Sequence, residues 1–371
     1  MKIKTITCHD VYNYGASLQA YALQHFLQEE GHHVEIINYK PKYLDHFFKF
    51  WYIPEYSPLY KLSHKNILLH FICAVRCMPL NFGTWRRKCP FDEFTANALS
   101  LTNSFHSYNE LVENPPNADA YISGSDQIWN CRMKNGKDPA FFLQFGNKET
   151  KRLSYAASFA IPALPADMKP IVKQYLKTYD SISVRESTGV SILRDLGVIG
   201  VNVLDPVFLL TPSQWIQIVK RKRTREKPYL LVYNLSRDTK GFDRAVKAIS
   251  EAKDLQVVSI DAYRKYPYSD KCIADAGPRE FVSLIAGADY VIADSFHAMA
   301  FSLIFNKPFS IYYSYDNVSR MKDLLDIVGL SYRLNPDRDI LNDVDWESVN
   351  MSLQNKVQSS KDFLRKSLGY E

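Results

Sequence analysis

The sequence predicts an α/β protein built as two Rossmann-like domains facing a cleft. Three observations lead there. Short apolar runs rich in β-formers alternate with stretches of 3.6-residue periodicity along most of the chain. The series pauses at a strongly basic stretch and then starts again. The 371 residues, 46% hydrophobic and 23% charged, suffice for two ordinary domains with buried cores. The expected divisions are an N-terminal Rossmann-like domain over residues 1–210 with an irregular insertion at 41–117, a connection over 211–228, a C-terminal Rossmann-like domain over 229–343, and a helical tail over 344–371.

The chain opens as β-α-β. Ile3–Thr7 read as a strand, Asn13-Tyr14-Gly15 as the turn, and Val34–Asn38 as the next strand. Between them a helix from about Ser17 to Glu30 follows from the spacing of Leu18, Tyr21, Ala22, Phe26 and Leu27. The turn has one glycine and no G-x-G-x-x-G or Walker pattern, so it fits either a plain turn or a close approach of backbone to ligand. Across 41–117, aromatics crowd Tyr43–Tyr60, Ile67–Val75 is apolar, and Trp85-Arg-Arg-Lys88 is basic beside Phe91 and Phe94. Such a stretch suits an anionic membrane surface, a lid over substrate, or two helices packed on the main sheet with solvated basic residues.

After Asn114-Pro-Pro-Asn117 the regular pattern returns, and Ala120–Ile122 predict a strand running into Ser123-Gly-Ser-Asp-Gln-Ile-Trp-Asn130. That places Asp126, Gln127 and Asn130 at a strand end, with Trp129 as a platform for a sugar ring. The structural alternatives are Asp126 as a helix cap and Trp129 as core. Arg152–Ala157 predict a strand, Ala163–Tyr179 a helix, Ser181–Val184 a strand, and Arg185-Glu-Ser187 the entry to a helix ending near Leu196. Arg185 suits a carboxylate or phosphate through its planar fork, or an ion pair with Glu186 or another acid. Val201–Leu204, a strand, and Asp205-Pro206 close this half.

Thr211–Pro228 contains Lys220-Arg-Lys-Arg223, Arg225 and Lys227, read as an exposed helix end and interdomain connection. No recognition motif accompanies it, so no nucleic-acid partner is expected. The second series runs Tyr229–Tyr233 strand, Gly241–Lys253 helix, Gln256–Ile260 strand and Pro278–Ala286 helix. Tyr290–Ala293 then form a strand, Asp294-Ser295 break it, and Ala298–Phe305 continue as helix to Lys307-Pro308. Ser295 and His297 thus stand where a strand ends and a helix begins, the place where open α/β sheets bind ligands and free N–H groups favour anions. An imidazole there can hold or protonate a negatively charged substrate; the structural alternatives are a capping Ser295 and a packing His297. Phe309–Tyr312, Arg320–Val328 and Val344–Leu368 complete the pattern as strand, helix and helix. The loops at 13–15, 123–130, 185–186 and 294–297 are expected to meet in one pocket between the halves.

Composition narrows the partners. A net charge of +6 and pI near 8.8 fit anionic partners such as phosphorylated metabolites, nucleotides, nucleic acid or an acidic membrane face, and the sign alone does not choose among them. The cysteines at 8, 73, 77, 89, 131 and 272 lack C-x-x-C spacing, which argues against zinc and dithiol chemistry. With no recognisable secretory segment they are expected to be reduced in a cytoplasmic protein. The longest apolar run, Ile67–Val75, is far below the ~20 residues that cross a bilayer. No His/Asp/Glu cluster suggests a metal.

Five stretches together resemble the polysaccharide pyruvyl transferase family. They are Asn13-Tyr-Gly-Ala-Ser-Leu-Gln-Ala-Tyr21, Tyr121-Ile-Ser-Gly-Ser-Asp-Gln-Ile-Trp129, Ser183-Val-Arg-Glu186, Val203-Leu-Asp-Pro206 and Asp294-Ser-Phe-His-Ala298. The resemblance implies a GT-B-like fold and transfer of pyruvate from phosphoenolpyruvate to two hydroxyls of a sugar, giving a cyclic ketal in surface or capsular polysaccharide synthesis. It implies His297 as proton donor or phosphate ligand, Asp126 as base or hydroxyl anchor, Arg185 as donor-anion ligand, and Asn13, Gly15, Gln127 and Trp129 on the acceptor side. The acceptor would be a sugar or lipid-linked oligosaccharide, with peripheral contact at the inner membrane face left open and no cofactor beyond the co-substrate. The family often carries Arg-Leu-His where this chain has Ser295-Phe-His297. A neutral hydroxyl cannot replace a guanidinium against a dianion, so Arg185, or Arg320 in the step Asn317-Val-Ser-Arg320, supplies the charge, or the donor differs. The competing expectations are a GT-B glycosyltransferase using a nucleotide sugar and a non-catalytic scaffold subunit of a polysaccharide assembly complex.

Overall fold

Strand and helix signals of the first half fold in chain order. β1 (Lys2–Ile6), α1 (Tyr14–Glu29) and β2 (His33–Tyr39) come first; the insertion supplies α2 (Pro58–Ser63), α3 (Ile67–Ala98), β3 (Leu101–Phe105) and α4 (Tyr108–Glu113). Then follow β4 (Ala120–Ser123), β5 (Lys151–Ala157), α5 (Met168–Leu176), β6 (Ser181–Val184), α6 (Ser187–Asp195) and β7 (Val201–Asn202). The computed structural model describes residues 1–44, 53, 58–63, 65–219, 227–235, 242–261, 266–313, 319–336 and 343–369. The basic run Lys220–Arg223 lies outside them.

The seven strands form one sheet in the order β3-β2-β1-β4-β5-β6-β7, every pair parallel. The chain winds outward from β1 in one direction and from β4 in the other, so the crevice of this sheet opens at the β1/β4 boundary. There Ile3 lies opposite Ala120 and Thr5 opposite Ile122. After the short α7 (Pro212–Gln217), the second half repeats the plan. β8 (Tyr229–Tyr233), α8 (Phe242–Lys253), β9 (Gln256–Ile260), β10 (Lys271–Ile273), α9 (Pro278–Gly287), β11 (Tyr290–Ala293), α10 (Phe296–Ile304), β12 (Phe309–Ile311) and α11 (Ser319–Ile327) follow in turn. Its parallel sheet runs β10-β9-β8-β11-β12, with the switch at β8/β11. This is the expected α/β plan of two Rossmann-like halves, GT-B-like in layout.

An apolar cluster joins the halves. Tyr14 stacks on Phe281 of α9 at 4.4 Å, meets Tyr233 edge-on at 5.6 Å, and donates its hydroxyl to Ala276 O at 2.9 Å. The tail helix α12 (Trp346–Leu368) returns to the first half. Ser360 Oγ accepts from Leu204 N–H at 3.0 Å, and Arg365 grips both oxygens of Glu30 at 2.8 Å.

Several expectations are corrected. The predicted loop Asn13–Gly15 is the cap and first turn of α1: the Asn13 side chain accepts from Ala16 N–H, and Tyr14 and Gly15 are already helical. The helix expected over Ala163–Tyr179 shortens to α5, because Pro165 has no N–H to donate and restrains the residue before it. The insertion is less irregular than expected, with one long helix and an edge strand at Leu101–Phe105. The basic cluster at its C-terminal end is not simply solvated: Arg87 lies over the Tyr14 ring at 4.9 Å and donates to Tyr12 O at 3.2 Å. No helix follows Asp126, so it caps none. Trp129 is fully buried, donates its indole N–H to Phe141 O at 3.1 Å, and stacks on Phe142 at 5.3 Å, so it offers no face to a sugar. Among the described residues, no helix is long and apolar enough to cross a membrane.

Removing Trp129 therefore tests core against platform. Trp129→Ala should destabilise the fold by about 3–5 kcal/mol in denaturant titration, whereas a sugar platform would leave the midpoint near its original value.

Candidate active site

Because both sheets are parallel, their strand-end loops gather on one edge, and the loops at the two switch points face each other. Asn13, Tyr14, Gly15, Asp126 and Gln127 from the first half, with Tyr233, Asp294, Ser295, Phe296, His297, Tyr313 and Arg320 from the second, line a cleft of about 310 Å³. The loop after β8 is tied to the loop after β11 by Leu235 N–H donating to the Asp294 carboxylate at 2.6 Å.

The Asp205 carboxylate, fully buried, orders the floor beside this cleft. It accepts from Arg185 Nη1 at 2.6 Å, Ser125 Oγ at 3.1 Å and Val207 N–H at 3.1 Å, and lies 3.7 Å from His297 Nε2. Burial acts to raise its pKa, but the neighbouring His297 and Arg185 outweigh that and hold the carboxyl well below the usual carboxylate range. Ser125 is placed in turn by Thr7, whose hydroxyl donates to Ser125 O at 2.8 Å and accepts from the Gln19 amide at 2.9 Å. Gln19 and Asp205 were landmarks of the family resemblance without assigned roles; the acid of Asp205-Pro206, at a strand end, was the available signal.

Arg185 sits behind the cleft wall, its side chain only 1% exposed. Burial works against its charge, but Asp205, Asp126 and Glu186 outweigh burial and raise its pKa. Its ion-pair partner is Asp205, with Asp126 at 3.7 Å, while Glu186 is occupied by Ser158 Oγ and the N–H groups of Phe159 and Ala160. The guanidinium lies over the Phe296 ring at 4.9 Å, and the Arg320 guanidinium approaches the same ring at 5.7 Å. Arg320 is no surface residue: it lines the cleft, and α11 is docked on α6 by Asp323 accepting from Ser187 N–H and Oγ at 2.6 and 2.9 Å. Burial, then the charge of Arg185, pushes the Arg320 pKa down. Among the described residues, Arg185 Nε and Nη2, Arg320 Nε and His297 Nε2 are buried without a hydrogen-bond partner.

Ser295 occupies the N-cap position of α10 but makes no capping hydrogen bond, which leaves the first-turn N–H groups to other acceptors. His297 is packed against Gly15, where an added Cβ would lie 1.9 Å from Nδ1. Gln127 lines the cleft with its side-chain oxygen engaged by Asn130 at 2.9 Å. Asp126 stands at the rim with backbone φ of 75°, a left-handed conformation that is costly for a side-chain-bearing residue. The structure thus gathers Asn13, Gly15, Asp126, Gln127, Ser295, His297 and Arg320, places Arg185 behind them, and removes Trp129. The set can bind an anion, shuttle a proton through imidazole or carboxylate, and hold hydroxyls. Among the described residues, no group of three His, Cys, Asp or Glu side chains is placed to hold a metal ion.

Two consequences are measurable. The folded pKa of Asp205 lies below its unfolded value, so its stabilisation is complete above pH ~4 and drains as pH falls through that value toward the folded one. Asp205→Asn should cost about 3 kcal/mol, with the deficit in urea melts constant from about pH 5 to 8 and shrinking below about pH 4. Gly15→Ala should displace the imidazole while adding helix propensity, leaving the melting temperature within a few degrees but broadening or shifting the His297 ring resonances in NMR spectra.

The family model described as polysaccharide pyruvyl transferase matches residues 13–317. No curated protein matches the chain. Among solved structures, UDP-N-acetylglucosamine 2-epimerase from Rickettsia bellii is similar at TM-score 0.49 and 10% identity, covering 100% of this chain and 96% of that one. UDP-GlcNAc 2-epimerase from Neisseria meningitidis, bound to UDP-GlcNAc, gives 0.47 and 8%, covering 100% and 95%. The E. coli ADP-heptose lps heptosyltransferase II gives 0.39 and 11%, covering 97% and 100%. With a match that spans most of its length, the chain belongs to the polysaccharide pyruvyl transferase family.

Proposed function

We propose that this chain transfers pyruvate from phosphoenolpyruvate to two hydroxyls of a sugar, forming a cyclic ketal in the synthesis of a surface or capsular polysaccharide. One observation carries the reading: Arg320 and His297 line one cleft beside the uncapped first turn of α10, Arg185 lies behind its wall, and each of the three holds a buried nitrogen without a hydrogen-bond partner. Phosphoenolpyruvate brings a carboxylate and a phosphate, which need such donors. Ser295 contributes a hydroxyl and no charge. Arg320, from a different element, supplies the cation that the family often places there, and Arg185, partly neutralised by Asp205, acts from behind the wall.

His297 protonates the methylene carbon, which leaves a cationic centre on the adjacent carbon. A first sugar hydroxyl attacks that carbon and passes its proton to Asp126. The carbon–oxygen bond to phosphate then breaks, phosphate departs with its electron pair, and a second hydroxyl closes the ketal and releases its proton. Asn13, Gly15 and Gln127 lie on the acceptor side, with a sugar or lipid-linked oligosaccharide as acceptor and the reaction in the cytoplasm. The side chains supply acid, base and cations, so the scheme invokes no cofactor beyond the co-substrate.

Calorimetric titration with phosphoenolpyruvate, followed by phosphate release in the presence of a lipid-linked galactose- or mannose-containing acceptor, tests this. Donor binding is expected to weaken about 10- to 100-fold in Arg320→Gln, and His297→Asn should keep binding while turnover falls at least about 100-fold. Binding of UDP- or GDP-sugars with no response to phosphoenolpyruvate would sink the reading in favour of glycosyl transfer.

A further inference from the structure

Helix α3 has two unlike ends. Its C-terminal half belongs to the interdomain core: Phe91 and Phe94 are buried there, and Arg87 packs on Tyr14. Among the described residues, its N-terminal half packs against a small satellite core, in which Cys73, Ala74 and Cys77 meet Ile53 and Leu59, Tyr60 and Leu62 of α2. On the other side of the same turns, Ile67 is 91% exposed, Leu68 68%, Phe71 56%, and Ile72 and Val75 41% each. Their spacing puts all five on one stripe, slightly more than two turns long. Elsewhere among the described residues, exposed large apolar side chains stand singly or in pairs.

The sequence that carries the stripe has charge of one sign. Between Glu55 and Asp92 the sequence has Lys61, Lys65, Arg76, Arg86, Arg87 and Lys88 and no acidic residue. Lys65, just before the helix, and Arg76, beside Ile72 on the helix surface, are both exposed. An apolar stripe flanked by the exposed cations Lys65 and Arg76 matches the acyl boundary and headgroup layer of an anionic bilayer at once. A second copy of this chain would bring the same positive charges against each other across the contact.

We infer that the N-terminal half of α3 docks this protein on an anionic membrane surface, with Ile67, Leu68, Phe71, Ile72 and Val75 entering the interface and Lys65 and Arg76 meeting lipid headgroups. The helix then runs on ~20 Å along its axis from Val75 to Lys88, where the neighbouring Arg87 packs on Tyr14, a residue of the candidate cleft.

Co-sedimentation of the full chain with vesicles tests this without donor or acceptor, so its outcome is independent of the proposed chemistry. The protein should pellet with phosphatidylglycerol-containing vesicles at low salt and remain in the supernatant with pure phosphatidylcholine. Phe71→Ser with Ile72→Ser, and separately Lys65→Glu with Arg76→Glu, should each lower binding at least about tenfold with unchanged thermal melts. Absence of pelleting with anionic vesicles, or binding that either double variant leaves intact, overturns the proposal. So does a dimer in analytical ultracentrifugation that Phe71→Ser with Ile72→Ser dissolves, which would assign the stripe to a second copy.

Discussion

The Asp205 carboxylate is fully buried, and a buried charge costs several kcal/mol unless partners surround it. Its partners come from separate parts of the chain: Ser125 after β4, Arg185 after β6, the Val207 backbone and, from the other half of the molecule, His297. Each strand-end segment is therefore held by a shared electrostatic requirement rather than by its own local preference. The Gln19, Thr7 and Ser125 relay extends that requirement into α1. Several of the sequence stretches that identify the family meet at this one acid.

Holding Arg185 this way has a consequence for division of labour. A guanidinium pinned on Asp205, with Asp126 beside it, and pressed over Phe296 is positioned but partly neutralised. Arg320 has no such partner among the described residues and lies in the field of Arg185. Two cations share one aromatic ring, Arg185 between the carboxylates of Asp205 and Asp126 and Arg320 without an ion-pair partner among the described residues. On the proposed reading, Arg320 stands in from another element for the arginine that the family often carries where this chain has Ser295.

The central strands were legible because parallel strands covered on both faces are continuous apolar runs. Tyr229–Tyr233, Gln256–Ile260 and Tyr290–Ala293 fold with the bounds their composition predicts. Edge strands β3 and β10 carry polar residues and short lengths, so Leu101–Phe105 and Lys271–Ile273 gave no such signal. Asn13, read as a turn residue, is the cap of α1, and the same side chain suits either place. Trp129 shows the limit for aromatics: the same indole serves a core or a sugar, and its burial depends on Phe142 and Phe159, which local pattern does not bring near. Strand-end position placed His297 and Asp126 in the cleft where both lie, since the ends of parallel strands share one edge, whereas Arg320 was reached only as a substitute cation at a loop-to-helix step. Asp205 escaped because its role is made by distant partners.

Helices α1 and α10 both begin at this cleft, one from each half, and Gly15 in the first turn of one touches His297 in the first turn of the other. Each start carries about half a positive charge from its aligned peptide dipoles. Brought nose to nose, the two dipoles repel across the seam that the apolar cluster of Tyr14 and Phe281 holds shut. An anion lodged between them would turn that repulsion into a shared attraction. The ligand would then act as mortar between the domains, tightening the seam beyond the contacts it makes itself.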